Sequence, residues 1–183
     1  MRAIVFIDGN NFYNKLKELC GNEKRYRLSD FDYAAFSKRL VKDDELVEVR
    51  YYLGALKRQG DDKTEKMYAD QQRFFAKLQK LNVKIILGQI IQHPDKSFHE
   101  KGVDVRIAVE MIRLARENRY DIAYLISSDT DLVPAVEEVL KFNKALHYVC
   151  FPTGQSFGIT KAVGRNITLL RFEDIKTFLL LKK

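Results

Sequence analysis

Two aspartates, Asp129 and Asp131, stand one residue apart where an apolar run ends and a helix begins. Residues 122–127 have the length and composition of a strand. Pro134 fits the first turn of a helix, because an amide there has no intrahelical partner to lose. In a parallel α/β sheet such a junction lies at the carboxyl ends of the strands, where ligands bind. Asp129 or Thr130 would also cap the helix, but one cap does not explain both carboxylates.

Two further aspartates are predicted at the same edge. Asp8 directly follows residues 3–7, an apolar run typical of a strand covered on both faces, although an Asp-Gly turn is the ordinary alternative. Asp104 falls on the apolar stripe of a predicted helix, so its carboxylate is directed inward and needs a cation, a metal or a helix-capping role. On the opposite stripe, Glu110 is predicted to be a surface charge. The apolar stripe comprises Asp104, Ile107, Ala108, Met111 and Ala115.

The four carboxylates together predict a metal site. Asp8, Asp104, Asp129 and Asp131 would repel one another unless a divalent cation lies among them. A ligand set made only of oxygen atoms suits Mg²⁺ or Mn²⁺ rather than zinc. Such a cation polarises phosphoryl oxygens and lowers the pKa of a bound water, which then attacks phosphorus. The pattern therefore predicts metal-assisted phosphodiester hydrolysis without a covalent intermediate.

The composition bounds the class of protein. The 183 residues suit one domain, residues 1–183, and carry a net charge of +7, which is compatible with a polyanionic partner but not specific for one. No apolar run approaches the roughly 18 residues of a membrane span, and the first residues lack the cleavage pattern of a signal peptide. Cys20 and Cys150 have neither disulfide nor metal-site spacing, so we expect both to be core residues of a cytoplasmic protein.

Strands alternate with helices along the chain, which predicts a parallel α/β sheet. The predicted strands are residues 3–7, 46–56, 83–91, 122–127, 145–151 and 167–170. The predicted helices run to about residue 20 after the turn at 8–11, and then over 30–40, 61–81, 102–118, 132–142 and 172–181. Residues 92–101 and 152–166 are predicted loops, the second with one helical turn.

Three blocks of the sequence resemble the signature blocks of NYN domains, the LabA-like branch of the PIN-like nucleases. They are FIDGNN at residues 6–11, KGVDV at 101–105 and LISSDTDLVP at 125–134, in the family's order. The resemblance implies a PIN-like three-layer α/β/α sandwich with a central, mainly parallel sheet. It also implies a metal-dependent ribonuclease site, with Asp8, Asp104, Asp129 and Asp131 as the metal-binding carboxylates.

The same resemblance implies roles for other residues of the blocks. Asn11 would orient the first aspartate or a phosphate. Ser127 and Thr130 match the small hydroxyl positions beside the third block, and Ser128 stands where glycine is usual. Apart from the resemblance, the position of Lys101 three residues before Asp104 suggests that it holds a phosphate or neutralises the acidic residues, unless it is a solvated loop lysine.

Residues outside the blocks are candidates for contacts with RNA. Lys57 and Arg58 follow the second predicted strand at the active edge and would contact backbone phosphates. A basic loop would extend that surface, although solvation alone accounts for it; it contains Lys24, Arg25 and Arg27. Four tyrosines either stack on unpaired bases or belong to the core: Tyr13, Tyr51, Tyr52 and Tyr68. The histidines of the loop before Lys101, His93 and His99, are not convincing as ligands or general bases.

The leading hypothesis is an endoribonuclease that uses Mg²⁺ or Mn²⁺ to cut single-stranded or flexible RNA. The alternative is a catalytically weak PIN-like module that binds RNA or a protein in regulation; an incomplete acidic set would favour it, and this sequence has the full set. A phosphatase that forms an aspartyl phosphate ranks third, because Asn10 stands where it needs a second carboxylate. The apolar run at 178–181 belongs either to the core or to a homo-oligomer contact.

Overall fold

A seven-stranded sheet forms the centre of the protein in a computed structural model that describes residues 1–21, 26–58, 60–92 and 98–181. The strands are β1 (Arg2–Asp8), β2 (Tyr26–Arg27), β3 (Glu45–Ala55), β4 (Val83–Gln92), β5 (Phe98–Lys101), β6 (Ile122–Ile126), β7 (Ala145–Cys150), β8 (Ile167–Leu169) and β9 (Leu180–Leu181). The central sheet has the order β5-β4-β3-β1-β6-β7-β8. Its neighbours are parallel except β4 and β5, and β2 pairs separately with β9.

Helices cover both faces of this sheet. They are α1 (Gly9–Cys20), α2 (Tyr33–Val41), α3 (Asp62–Lys80), α4 (Val103–Arg116), α5 (Val133–Lys141), α6 (Phe157–Val163) and α7 (Phe172–Ile175). Short 3₁₀ turns occupy Leu28–Asp30, Thr130–Leu132 and Lys176–Phe178. Helices α1, α2 and α3 pack on one face, and α4, α5 and α6 pack on the other. The predicted three-layer α/β/α sandwich with a central, mainly parallel sheet is therefore confirmed.

Strand β1 lies in the middle of the sheet and is buried on both faces, as its continuous apolar run predicts. Val5 and Ile7 pack on the α1–α3 side, whereas Ile4 and Phe6 pack on the α4–α6 side. Because side chains alternate along a strand, Asp8 falls on the same side as Phe6. The end of β1 therefore directs a carboxylate towards the layer that contains α4.

Three predictions about the boundaries of elements were wrong. Residues 92–101 are not all loop, because β5 adds an antiparallel edge strand there. The predicted loop 152–166 contains the seven-residue helix α6, which Ser156 caps by accepting the N–H of Ile159. The predicted closing helix 172–181 is instead the short α7, a 3₁₀ turn and β9. The partner of β9 is β2, which is distant in sequence and leaves no local pattern to read.

The prediction that Glu110 is a surface charge is also wrong. Glu110 is only partly exposed, and its Oε2 accepts the Tyr52 O–H at 2.8 Å and a guanidinium N–H of Arg50. Arg50 lies in the middle of β3 and is 3% exposed, and it also pairs with Glu48 at 3.0 Å. A cation buried in a strand needs carboxylate partners, and α4 packs over β3 closely enough to supply one.

Other predictions have simple outcomes. Cys20 and Cys150 are both buried, as expected of core residues. Lys24, Arg25 and His93 lie outside the described residues, whereas Arg27 and His99 are exposed. Within the described ranges, every helix falls short of the length and apolarity that crossing a membrane requires.

Candidate active site

Asp8 ends β1 and caps α1, and it is almost fully buried, with 8% of its surface exposed. Its Oδ1 accepts the backbone N–H of Asn11 at 3.1 Å, and its Oδ2 accepts the Ser127 hydroxyl at 2.9 Å. Burial raises the pKa of the Asp8 carboxyl, those two hydrogen bonds oppose the rise, and the nearby charges of Asp129 and Asp104 add to it. A negative charge on Asp8 therefore has an electrostatic cost, which a bound cation would reduce.

Three other carboxylates converge beside Asp8. Asp104, Asp129 and Asp131 each offer one oxygen, and these oxygens lie within 4.8 Å of one another. Asp104 comes from the first turn of α4, which begins after Gly102 in a left-handed conformation (φ 75°). Asp129 caps the 3₁₀ turn after β6 by accepting the N–H of Asp131 at 2.9 Å. The strand-to-helix junctions of β1 and β6 and the start of α4 thus place the acidic residues at one edge of the sheet.

Asn11 and Ser128 join the two junctions. The Asn11 side chain donates to Ser128 Oγ at 2.7 Å and accepts the Ser128 backbone N–H at 3.2 Å. The backbone N–H of Asn11, and not its side chain, is what holds Asp8. Ser128 is not one of the described residues with positive φ, so its side chain fits the turn without backbone strain. The serine in place of glycine therefore adds a hydrogen bond between α1 and the loop that carries Asp129.

The hydroxyl residues of the third block have different positions. Ser127 is buried, and its Oγ donates to Asp8 while accepting the Asp129 N–H at 3.1 Å. It is thus a direct link between two of the four aspartates. Thr130 is exposed, and its hydroxyl lies 3.4 Å from that of Ser156. The side chain of Thr130 therefore lies on the surface of the edge.

Glu100 is a further carboxylate at this edge, which the sequence analysis did not predict. It lies on β5, and its Oε2 accepts the N–H of Gly54 at the end of β3. Burial raises the pKa of Glu100, the Gly54 hydrogen bond opposes this, and repulsion from Asp8 and Asp104 adds to it. Phe98 and Glu100 are partly buried whereas the residues between and after them are exposed, but the sequence does not show this alternation, because Glu100 itself stands at an inward position.

The predicted cations have three different environments. Lys101 is exposed at the end of β5, two residues before α4 begins. Lys57 is exposed in the segment after β3. Arg58 lies over the Tyr68 ring at 5.2 Å, and its Nε is 3.3 Å from Glu65 Oε2, so it packs on α3. Lys101 and Lys57 are therefore more available to a polyanion than Arg58.

The donor atoms fit a hard divalent cation. Asp104, Asp129 and Asp131 supply oxygen ligands only, with the spacing that a shared ion requires. Asp104 and Asp129 are partly buried and Asp131 is exposed, so the group is open to solvent and substrate. An open group of carboxylates is the kind of site that Mg²⁺ and Mn²⁺ occupy while retaining waters.

A mainly parallel sheet with acidic residues at its carboxyl edge is the architecture of the PIN-like nuclease superfamily, and comparisons with known proteins agree. The family model described as NYN domain matches residues 2–167, so the chain belongs to the NYN domain family, which is part of that superfamily. A crystal structure of a protein of unknown function from Vibrio parahaemolyticus has the same fold, with a TM-score of 0.69 and 24% identity over 98% of this chain and 96% of that one. A search of curated protein sequences finds no match.

Proposed function

We propose that this protein is an endoribonuclease of the LabA-like branch of NYN domains. It hydrolyses phosphodiester bonds of single-stranded or flexible RNA with Mg²⁺ or Mn²⁺. The observation that carries the proposal is the convergence of Asp104, Asp129 and Asp131 within 4.8 Å, beside the buried Asp8, in a chain that belongs to a nuclease superfamily. We also propose that residues 1–183 form one domain.

The roles of the acidic residues follow from their positions. Asp104, Asp129 and Asp131 would hold the cation. Asp8, predicted as a fourth ligand, is not part of that converging group among the described residues and would add its charge from the buried side. When bound, Mg²⁺ or Mn²⁺ supplies the positive charge that polarises phosphoryl oxygens and activates water for attack on phosphorus. Ser127 fixes Asp8 and the backbone of Asp129 relative to each other.

The remaining residues would position the substrate. Asn11 fixes the loop after β6 through Ser128, and its backbone N–H fixes Asp8. Lys101 and Lys57 are exposed near the ends of β5 and β3 and would contact the RNA backbone, with Arg58 and Thr130 at the periphery. The net charge of +7 supports a polyanionic substrate.

The experiment that tests the proposal is cleavage of end-labelled single-stranded RNA in Mn²⁺, Mg²⁺ or EDTA. Asp8→Asn and Asp129→Asn remove one charge each from the site. Asp32→Asn is the matched control, because Asp32 is also a partly buried helix cap that accepts an N–H, but it belongs to α2. We expect metal-dependent cleavage that falls at least roughly a hundredfold in both site variants and is unchanged in the control. Duplex RNA and single-stranded DNA of the same sequence define the substrate.

Two results would contradict the proposal. Cleavage that persists in both site variants would mean that the activity comes from another site or another protein. RNA that is bound but never cut in any metal would mean that the protein is a binding module.

A further inference from the structure

A cavity of about 260 Å³ opens beside the acidic edge. Its buried aromatic rings belong to the core on the α1–α3 side of the sheet, whereas Gly54, Ile90 and Glu100 reach it from the side that faces α4. Gly9, the residue after Asp8, forms part of its wall, so the cavity and the acidic residues meet at one turn of the chain. Its volume is slightly below the roughly 300–1,000 Å³ of sites that hold whole drug-sized ligands, and so suits one planar group.

The walls of the cavity are aromatic. They include the rings of Tyr13, Tyr33, Tyr51 and Phe74, of which Tyr13 is 43% exposed at the mouth. Tyr33 and Tyr51 are hydrogen-bonded to each other, and the Tyr51 hydroxyl also contacts the Gly9 carbonyl at 3.2 Å, so these two hydroxyls already have partners. Bases of single strands stack on exposed aromatic rings, and Tyr13 is the exposed ring of these four that a base could reach.

Glu100 is the charged residue among the described residues that line the cavity, and the other polar residues there are Asn10, Ser29 and Gln71. One oxygen accepts the Gly54 N–H, and a carboxylate has further lone pairs for a ligand. The amide of Gln71, also in the wall, is already used by Leu56 N–H and the Gly54 carbonyl. The cavity therefore offers a hydrogen-bond acceptor and repels anions, which excludes a phosphate and favours a planar group that carries N–H donors.

We propose that this cavity binds an amino-bearing nucleobase of the RNA strand whose phosphate lies at the acidic edge. The exocyclic amino group of adenine, cytosine or guanine donates to Glu100, and the base stacks on Tyr13. Uracil lacks that amino group, and its N3–H stands between two carbonyl oxygens that the Glu100 carboxylate repels, so it is the disfavoured base. The assignment of the base to an RNA substrate rests on the proposed nuclease function, but binding by the cavity itself does not.

The first test uses nucleosides, which have no phosphate and need no metal. NMR titration of the protein in EDTA with adenosine, cytidine, guanosine and uridine gives four dissociation constants. We expect the three amino-bearing nucleosides to bind at least roughly tenfold more tightly than uridine, as a hydrogen bond to a carboxylate predicts. Equal binding of all four, or binding of none, would overturn the proposal.

Variants locate the binding in this cavity. Tyr13→Ala should weaken adenosine binding by roughly five- to a hundredfold. Leu169→Ala is the control, because Leu169 is 39% exposed on β8, at the opposite end of the sheet. Glu100→Gln should raise uridine binding relative to adenosine: its amide oxygen accepts the Gly54 N–H, and its NH₂ then donates to a uracil carbonyl, which adenine lacks. A gain in uridine binding cannot arise from misfolding. No such gain, or Tyr13→Ala behaving like the control, would place the binding elsewhere.

The second test separates this proposal from the nuclease proposal. Cut positions are mapped on an RNA of mixed sequence for the wild type and for Glu100→Gln. A shift of cuts towards uridine links the cavity to the substrate. RNA cut without base preference, by a protein that binds no nucleoside, leaves the nuclease proposal intact and refutes the cavity. Selective nucleoside binding without any cleavage of RNA would support the cavity proposal and refute the nuclease proposal.

Discussion

Replacing Asp129 with asparagine should change stability in opposite directions with and without metal. In EDTA, Asp104, Asp129 and Asp131 repel one another, with carboxylate oxygens within 4.8 Å. The Asp129→Asn substitution removes one of these charges and keeps the cap, because asparagine and aspartate are equally good N-caps. With metal present, the same change removes a ligand. The Asp129→Asn protein should therefore be more stable than the wild type without metal and less stable with it.

The size of both effects can be worked out from the site. Two charges about 4 Å apart interact by about 4 kcal/mol at an effective dielectric constant of 20, and solvent around this open group reduces that to about 1 kcal/mol. In a chain of this length, 1 kcal/mol shifts Tm by roughly 2–4 °C. Metal at a hundred times its Kd adds about 2.7 kcal/mol to the wild type, or roughly 5–10 °C. A tenfold weaker site would roughly halve this gain.

Thermal unfolding followed by circular dichroism over a series of Mn²⁺ concentrations and in EDTA measures both effects. Asp32→Asn is again the control, since it removes a helix-capping charge at the start of α2, which packs on the opposite face of the sheet from α4, and should respond to Mn²⁺ as the wild type does. The reasoning is refuted if Asp129→Asn is less stable than the wild type in EDTA while the control is not. Equal stabilisation of both proteins by Mn²⁺ would equally refute it.

Three further predictions concern Asp8, Glu110 and Lys101. Because the pKa of Asp8 is raised from 3.8 in the folded protein, its contribution to metal-free stability is present below 3.8 and is lost as pH rises through the raised value. In EDTA, the difference between the Tm of Asp8→Asn and the Tm of the wild type should therefore increase in favour of the variant as pH rises over this range. Glu110→Ala should lower the free energy of unfolding by about 3 kcal/mol in urea titrations, because it leaves the buried Arg50 short of a partner. Lys101→Ala should weaken single-stranded RNA binding alike for all sequences and reduce the slope of log K against log salt by about 0.7.

The sequence was sufficient to predict that Asp8, Asp104, Asp129 and Asp131 share the acidic edge, for a geometric reason. Parallel strands present their carboxyl ends at one edge, so Asp8 and Asp129 were expected at that edge once residues 3–7 and 122–127 were identified as buried strands. They lie close together because β1 and β6 are neighbours, which the sequence did not predict. The helical period then directed Asp104 inward. These patterns are local, and the tertiary structure agrees with them.

Glu100 and Arg50 could not be placed in the same way. Glu100 belongs to a four-residue edge strand with polar residues on its outer face, and its neighbour Gly54 is 46 positions away. Arg50 interrupts a strand that is otherwise apolar there, and its burial depends on Glu110, which local periodicity assigns to solvent. In both cases the deciding contact is a long-range ion pair or hydrogen bond. The periodicity of apolar and polar residues along one strand or helix does not predict such contacts.

The turn after β1 connects the acidic edge with the aromatic cavity, and Gly9 is the reason that both fit. A Cβ at Gly9 would lie 2.3 Å from a ring carbon of Tyr51 and 2.7 Å from the Tyr52 carbonyl oxygen. The Tyr51 ring is 3% exposed and the carbonyl belongs to β3, so neither can move aside easily. The absent side chain lets α1 start close against β3, which brings Asp8 to one side of the turn and the cavity wall to the other. A substrate strand crossing this turn would therefore place its phosphate and its base at sites whose separation is fixed by the backbone.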